Sequence, residues 1–177
     1  GGGSAGALSF TGCAFRNLTV RSNSANAGGV ISSGLASYGW TSLTFTNCLF
    51  YNIKSAAGGV LGKIIMANSL GSTLFATNVV IAITDTANFV NYLLSDNGTA
   101  TTITMKNCVV YNVSGGTFTA KQGAAAVVAA IYSDFYLVTG APAGTGNITS
   151  DPLFINPTNA RFALRPASPC RGTGVVV

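Results

Sequence analysis

The chain has 177 residues and a formal charge of +5, from nine Lys and Arg against four Asp, with no Glu and no His. Only 7% of residues are charged and 48% are hydrophobic, where ordinary globular proteins carry about 25% charged residues. The nine cations form no dense run, which argues against a nucleic-acid footprint, and so few ionisable groups leave acid–base chemistry few candidates.

One eight-residue phrase recurs: LSFTGCAF from Leu8, LTFTNCLF from Leu43, LFATNVVI from Leu74 and ITMKNCVV from Ile103, at spacings of 35, 31 and 29 residues. Within a copy, apolar residues alternate (Leu43, Phe45), an Asn follows (Asn47), and the alternation restarts one residue out of phase (Cys48, Phe50). A strand alternates faces with a strict period of two. The slip therefore sends the second half outward unless the backbone turns at the Asn. Asn tolerates the left-handed conformation of such a corner and Gly tolerates it best; the first copy has Gly12 there. The pattern predicts an all-β fold, a parallel β-solenoid in one domain over 1–177, with roughly five to six rungs.

In chain order, a Gly-rich lead-in (1–7) precedes a first rung with Leu8 and Phe10 inward, a corner at Gly12, Cys13 and Phe15 inward, a second corner at Asn17, then Leu18 and Val20. The second rung repeats this with corners Asn47 and Asn52. The third is degenerate, with Asn78 kept, Val79 in the Cys place and Ile83 in the second Asn place; the fourth has Asn107 and Asn112. Two Asn ladders are expected, Asn47–Asn78–Asn107 and Asn17–Asn52–Asn112, hydrogen-bonded along the axis at a strand spacing of about 4.8 Å. Each rung is expected to continue into a further strand, at 26–33, 56–63, 89–95 and 124–132, with Gly28–Gly29 and Gly58–Gly59 at tight corners. The longest loop, 33–41, carries Tyr38 and Trp40 and is the candidate binding loop.

Cys13, Cys48 and Cys108 occupy equivalent inward positions and read as a ladder of free thiols behaving as small hydrophobes. The alternative is a Cys13–Cys48 disulfide, since neighbouring rungs bring Cα atoms to about 5 Å. Cys170 covers Cys108 or stays free. Without His or a CxxC pair, no metal or cofactor is expected. Asn17, Asn97, Asn112 and Asn147 head glycosylation sequons, and Asn97 and Asn147, placed in loops, are the better glycan acceptors. Asp85, Asp96 and Asp134 fall in different repeats with no DxD pairing, and Asp151 is expected to cap a turn. Glycoside cleavage needs paired carboxyls, so no catalysis is expected. The strongest apolar stretch, Ala124–Ile131, falls far short of the roughly 20 residues a membrane helix needs.

The segment 147–174 contains Asp151-Pro152-Leu153-Phe154, then Phe162, Leu164, Pro166, Ser168, Pro169 and Cys170. It resembles the last coil of pectate-lyase-like right-handed β-helix proteins. The F-T-N-C-x-F-x-N and GGV-I/L phrases are similar to repeats of chlamydial-type polymorphic outer-membrane proteins and related surface adhesins. The resemblance covers nearly the whole chain. It implies right-handed winding with 147–174 as the terminal coil, and it implies architecture rather than activity, because lyases, hydrolases, tailspikes, adhesins and fibres share this fold.

Lacking an initiator Met and a signal sequence, the chain is expected to be a processed product or a segment of a longer protein. The overall expectation is an extracellular or surface-displayed structural protein that works by self-association. The low charge suits a surface buried in an assembly, and a solenoid end presents unpaired strand edges. Val175, Val176 and Val177 read as a bare strand able to add to a neighbour's edge. The alternatives are an adhesin-type segment that binds a receptor or glycan through Tyr38 and Trp40, and a polysaccharide-active enzyme.

Overall fold

The computed structural model describes residues 6–20, 29–32, 41–56, 63–67, 73–86, 90–96 and 100–176. Tyr38, Trp40, Gly28, Gly58, Gly59, Asn97 and Val177 lie outside the described residues. Among the described residues there is no α-helix, and the strands group by turn. The first turn holds β1 (Ala7–Thr11), β2 (Ala14–Arg16), a short β3 (Thr19–Val20) and β4 (Gly29–Ser32). The second holds β5 (Ser42–Thr46), β6 (Leu49–Tyr51), a short β7 (Lys54–Ser55) and β8 (Lys63–Ala67). The third has β9 (Thr73–Thr77), β10 (Val80–Ile83) and β11 (Tyr92–Asp96); the fourth has β12 (Thr101–Lys106), β13 (Val109–Asn112) and β14 (Phe118–Gln122). The fifth has β15 (Ala126–Ile131), β16 (Asp134–Tyr136) and β17 (Val138–Thr139), and an antiparallel pair follows, β18 (Phe154–Asn156) and β19 (Arg161–Leu164).

Three five-stranded parallel sheets result, β1-β5-β9-β12-β15, β2-β6-β10-β13-β16 and β4-β8-β11-β14-β17. The chain visits them in the same rotation in every turn, which is the connectivity of a β-solenoid-like class. One assignment of the sequence pattern shifts and another falls mostly outside the described residues. Among the described residues the third strand of the second turn is Lys63–Ala67, and residues 57–62 of the expected 56–63 lie outside the described residues. The segment 124–132 does not close the fourth turn: β14 does, and Ala126–Ile131 opens a fifth on the first sheet, in register from Ala126 opposite Thr101 to Ile131 opposite Lys106. Lys121 and Gln122 interrupt the apolar pattern of β14 and so concealed it.

The corners follow the backbone logic of the repeat. Gly12, Asn47, Asn78 and Asn107 have φ of 65°, 54°, 55° and 53°, the left-handed region that Gly and Asn accept most readily. On either side of the second-turn corner, Leu43 and Phe45, then Cys48 and Phe50, are all buried while Asn47 is exposed. Asn17 and Asn52 repeat the conformation at the second corner, with φ of 55° and 52°. Asn112 does not, and its place in that ladder is corrected. Its in-register neighbour is Ile83, a β-branched residue ill suited to positive φ, and both stay in extended strands one residue longer than β2 and β6. The fifth turn makes the same two corners with Tyr132 and Leu137, at φ of 50° and 53°.

The core lies between the three sheets. Phe10 stacks on Phe45 with ring centroids 5.4 Å apart, and Phe15 on Phe50 at 4.6 Å; farther along the axis the positions of Phe45 and Phe50 are taken by Ala76 and Ile81. In the first turn Leu8 and Leu18, read as inward, remain 46% and 39% exposed, because β1 has a strand partner on one side only among the described residues. A second apolar cluster lies on the outside of the second sheet, where Phe154 packs with Ala82 and Tyr111, and Tyr51, Tyr136, Phe162 and Leu164 surround them. The segment 147–174 therefore adds no complete sixth turn. After a single bridge between Asp134 and Ile148, it folds back as the β18–β19 hairpin, whose Phe162 reaches Tyr51 of the second turn.

Candidate functional site

The two ends of the stack and the side-chain ladders between them hold most of the singled-out residues that the structure describes. In the first ladder Asn78 Nδ2 donates to Asn47 Oδ1 at 3.1 Å, and Asn107 Nδ2 to Asn78 Oδ1 at 3.2 Å. In the second, Asn52 Nδ2 donates to Asn17 Oδ1 at 2.7 Å. Asn112 is buried and works locally instead. Its Nδ2 donates to the carbonyls of Gly116 and Leu137, and its Oδ1 accepts from the backbone and hydroxyl of Ser114. All four cysteines are free thiols, with no Cys13–Cys48 disulfide. Cys48 and Cys108 donate instead to carbonyls, Cys48 to Phe10 and Thr46, Cys108 to Ala76 and Lys106. Burial pushes the Cys108 thiol up to about 11.

At the first-turn end, β1, β2 and β4 are edge strands among the described residues. At the other end the fifth turn is covered by 144–148. Tyr132 N–H donates to the Thr145 carbonyl, Phe135 N–H to that of Ile148, and Ile148 N–H to that of Ser133. Asn147 fastens this cover: its Oδ1 accepts from Ser133 N–H at 3.0 Å, and its Nδ2 donates to the carbonyls of Ala130 and Pro142. Both Nδ2 hydrogens of Asn147 and of Asn112 are thus engaged, so a glycan at either would break a structural bond; Asn17 is the exposed sequon in the described residues. Only glycine fits at 144, where a Cβ would lie 1.9 Å from the Ala130 carbonyl oxygen.

The tail is docked rather than free. Val175 N–H donates to Asn107 Oδ1 at 3.0 Å, Asn107 Nδ2 donates to the Val175 carbonyl at 2.7 Å, and Lys106 Nζ reaches the Val176 carbonyl at 3.3 Å. The side-chain amide of Asn107 pairs with Val175 as a neighbouring peptide group would, so the first Asn ladder ends in the chain's own tail.

The carboxylates are dispersed in role. Asp85 pairs with Lys54 at 2.7 Å. Asp151 accepts from Leu153 N–H at 2.8 Å and so caps the turn before β18; the Asp96 side chain lies outside the described residues. Asp134 is only 2% exposed because the hairpin and tail cover it. Its Oδ2 accepts from the Cys170 thiol at 3.1 Å, while its Oδ1 has no partner among the described residues. Loss of hydration on burial pushes its carboxyl up to about 6, with a smaller push from Asp151. Burial and the adjacent Asp134 push the Cys170 thiol up to about 12. Sequence reasoning read Cys170 against Cys108 and missed Asp134, because the pairing exists only once the hairpin has folded back.

No group of three metal-ligating side chains occurs among the described residues, and no helix among them is long and apolar enough to cross a membrane. No family model matches the chain, and neither does any curated protein or solved structure.

Proposed function

We propose that this chain is a non-catalytic structural subunit, a right-handed parallel β-helix displayed outside the cell that joins copies of itself end to end. The observation that carries this reading is the first turn. Its three sheet strands each have one edge without a strand partner among the described residues, and Leu8 and Leu18 stand exposed beside them. Edges of this kind recruit further strands. The Phe10–Phe45 and Phe15–Phe50 stacks end at the same place, so a neighbour would extend an aromatic column as well as a sheet. Val175 and Val176 are held by Asn107 and Lys106, so the joining role falls to the fifth turn. There β17 is an edge of the third sheet beside Leu137, which is 60% exposed.

A contact between two different ends is heterologous and propagates into a fibre unless it closes a ring. Right-handed winding is supported by the resemblance of the closing segment and by the strong bias of parallel crossovers to that hand. The low charge content suits a surface that neighbours cover. Electron microscopy of protein never exposed to denaturant tests the reading: filaments with an axial repeat near one stack length are expected. Leu8→Lys, which charges the edge, should leave dispersed particles with unchanged far-UV circular dichroism. Dispersed particles from the unsubstituted chain would overturn the proposal.

A further inference from the structure

Each strand of the first sheet turns alternate residues outward, and five strands in register align these residues into files along the axis. Ser42, Thr73 and Thr102 form one file, and Thr11, Thr46 and Thr77 another. Between them run Ser9, Thr44, Phe75 and Thr104. The last strand, β15, closes the face with Val127, Ala129 and Ile131. The alternate residues, among them Leu43, Phe45, Leu74 and Ile103, are buried in the core, while every outward position is half-buried or exposed. The outer face of the second sheet, by contrast, lies beneath the β18–β19 hairpin. We propose that the outer face of the first sheet is an ice-binding site, whose ligand is the ordered water lattice of an ice crystal.

Three observations select that ligand. The first is spacing. Neighbours within a file stand about 4.8 Å apart and the files about 6.6 Å apart, the strand spacing and twice the rise per residue. Both are of the order of the oxygen repeats on a prism face of hexagonal ice. A regular array with two fixed periods meets many lattice waters at once, where scattered hydroxyls would meet one or two. The second is side-chain chemistry. A Thr hydroxyl both donates and accepts, as a lattice water does, and the methyl beside it leaves the adjacent water to bond with other waters. The branch at Cβ restricts χ1, so contact with a rigid lattice costs little side-chain freedom. The third is charge, because ice is neutral and a Lys ammonium holds its own hydration shell tightly. Of the outward positions on these five strands only Lys106 is charged. It stands in an outer file, and its Nζ donates to the Val176 carbonyl at 3.3 Å. Phe75, 43% exposed, is the one ring in the array. Stacking on the sugar face of a crystalline polysaccharide would need that ring, and ice would not.

The test is thermal hysteresis and crystal shaping with the purified full chain, together with its partitioning into a slowly growing ice hemisphere. A gap between melting and freezing points, faceted crystals and enrichment in the ice are expected. The double variant Thr44→Lys/Thr104→Lys, which charges the middle file, should lose all three with unchanged far-UV circular dichroism. Phe75→Thr, which completes that file, should keep them, as should Arg161→Ala on the hairpin. Exclusion of the unsubstituted chain from ice, with no hysteresis, would overturn the proposal whatever the variants do. So would full activity in the folded double Lys variant, or loss of activity in a folded Phe75→Thr. Retention on microcrystalline cellulose or chitin by a chain that ice excludes would assign the face to a polysaccharide and overturn it too. These readouts report on the side of the stack rather than its ends, so they stand whether or not the chain forms filaments.

Discussion

The first and fifth turns are built from the same repeat and end differently. In the first, Gly12 and Asn17 make the corners, Phe10 and Phe15 are half-buried, and three strand edges are left without a partner among the described residues. In the fifth, Tyr132 and Leu137 make the corners, Ser133 replaces the inward thiol, and 144–148 bonds along the β16 edge and the Tyr132 corner. A repeat specifies how a turn stacks on the next one but contains no instruction for stopping. Stopping takes residues that break the rule, such as Gly144 against the Ala130 carbonyl and the Asn147 amide clasp.

The sharpest way to break the comparison is to remove one ring from each layer of the aromatic column. Phe45→Ala, at a site 1% exposed, should cost about 3–5 kcal/mol in denaturant unfolding. Phe10→Ala, half-buried in the first turn, should cost roughly half of that or less, in proportion to the area it buries. Equal losses would mean that the first turn is covered in solution.

The capped end responds to pH instead. The Asp134 carboxyl rises from 3.8 unfolded to about 6 folded. Between those values the folded chain holds a proton that the unfolded chain has released, so stability is greatest in acid and falls as pH rises. The loss through this window is about 3 kcal/mol at roughly 1.36 kcal/mol per pKa unit. Urea unfolding from pH 4 to pH 7 should show this decline, and Asp134→Asn should flatten it. A rise in stability over the same range would contradict the burial of this carboxyl.

The smallest effect belongs to the third-turn corner at Asn78 when its backbone conformation is kept. Asn78→Gly keeps the backbone conformation and loses the two ladder bonds, about 1 kcal/mol. Asn78→Ala also places a side chain without local hydrogen bonding at positive φ, adding about 1–2 kcal/mol. Thermal melts that rank Ala above Gly would show that the left-handed backbone conformation at residue 78 does not set the corner.

How much was legible follows the same division. The one-residue slip at Asn47 is visible in sequence because backbone conformation and face alternation are local properties, and four turns could be read from it. The fifth was hidden once Tyr132 took the Asn place. The hairpin left one overlooked signal: Tyr51, Tyr111 and Tyr136 occupy outward positions of the second sheet, where a solvated face would be polar. Apolar rings there mark a covered face, but nothing local says what covers it. Asp134 was out of reach for that reason, since its burial depends on a hairpin contributed from beyond residue 150.

The Asn ladders have one more consequence. All three amide bonds point the same way, each side chain donating to the turn before it. Aligned amide dipoles sum as they do along a helix, and chains of hydrogen bonds polarise one another. The stack is therefore a vector, with a positive pole at the first turn and a negative pole where Asn107 meets the tail. Any line of such units carries a direction from end to end, and a copy inserted upside down would set pole against like pole.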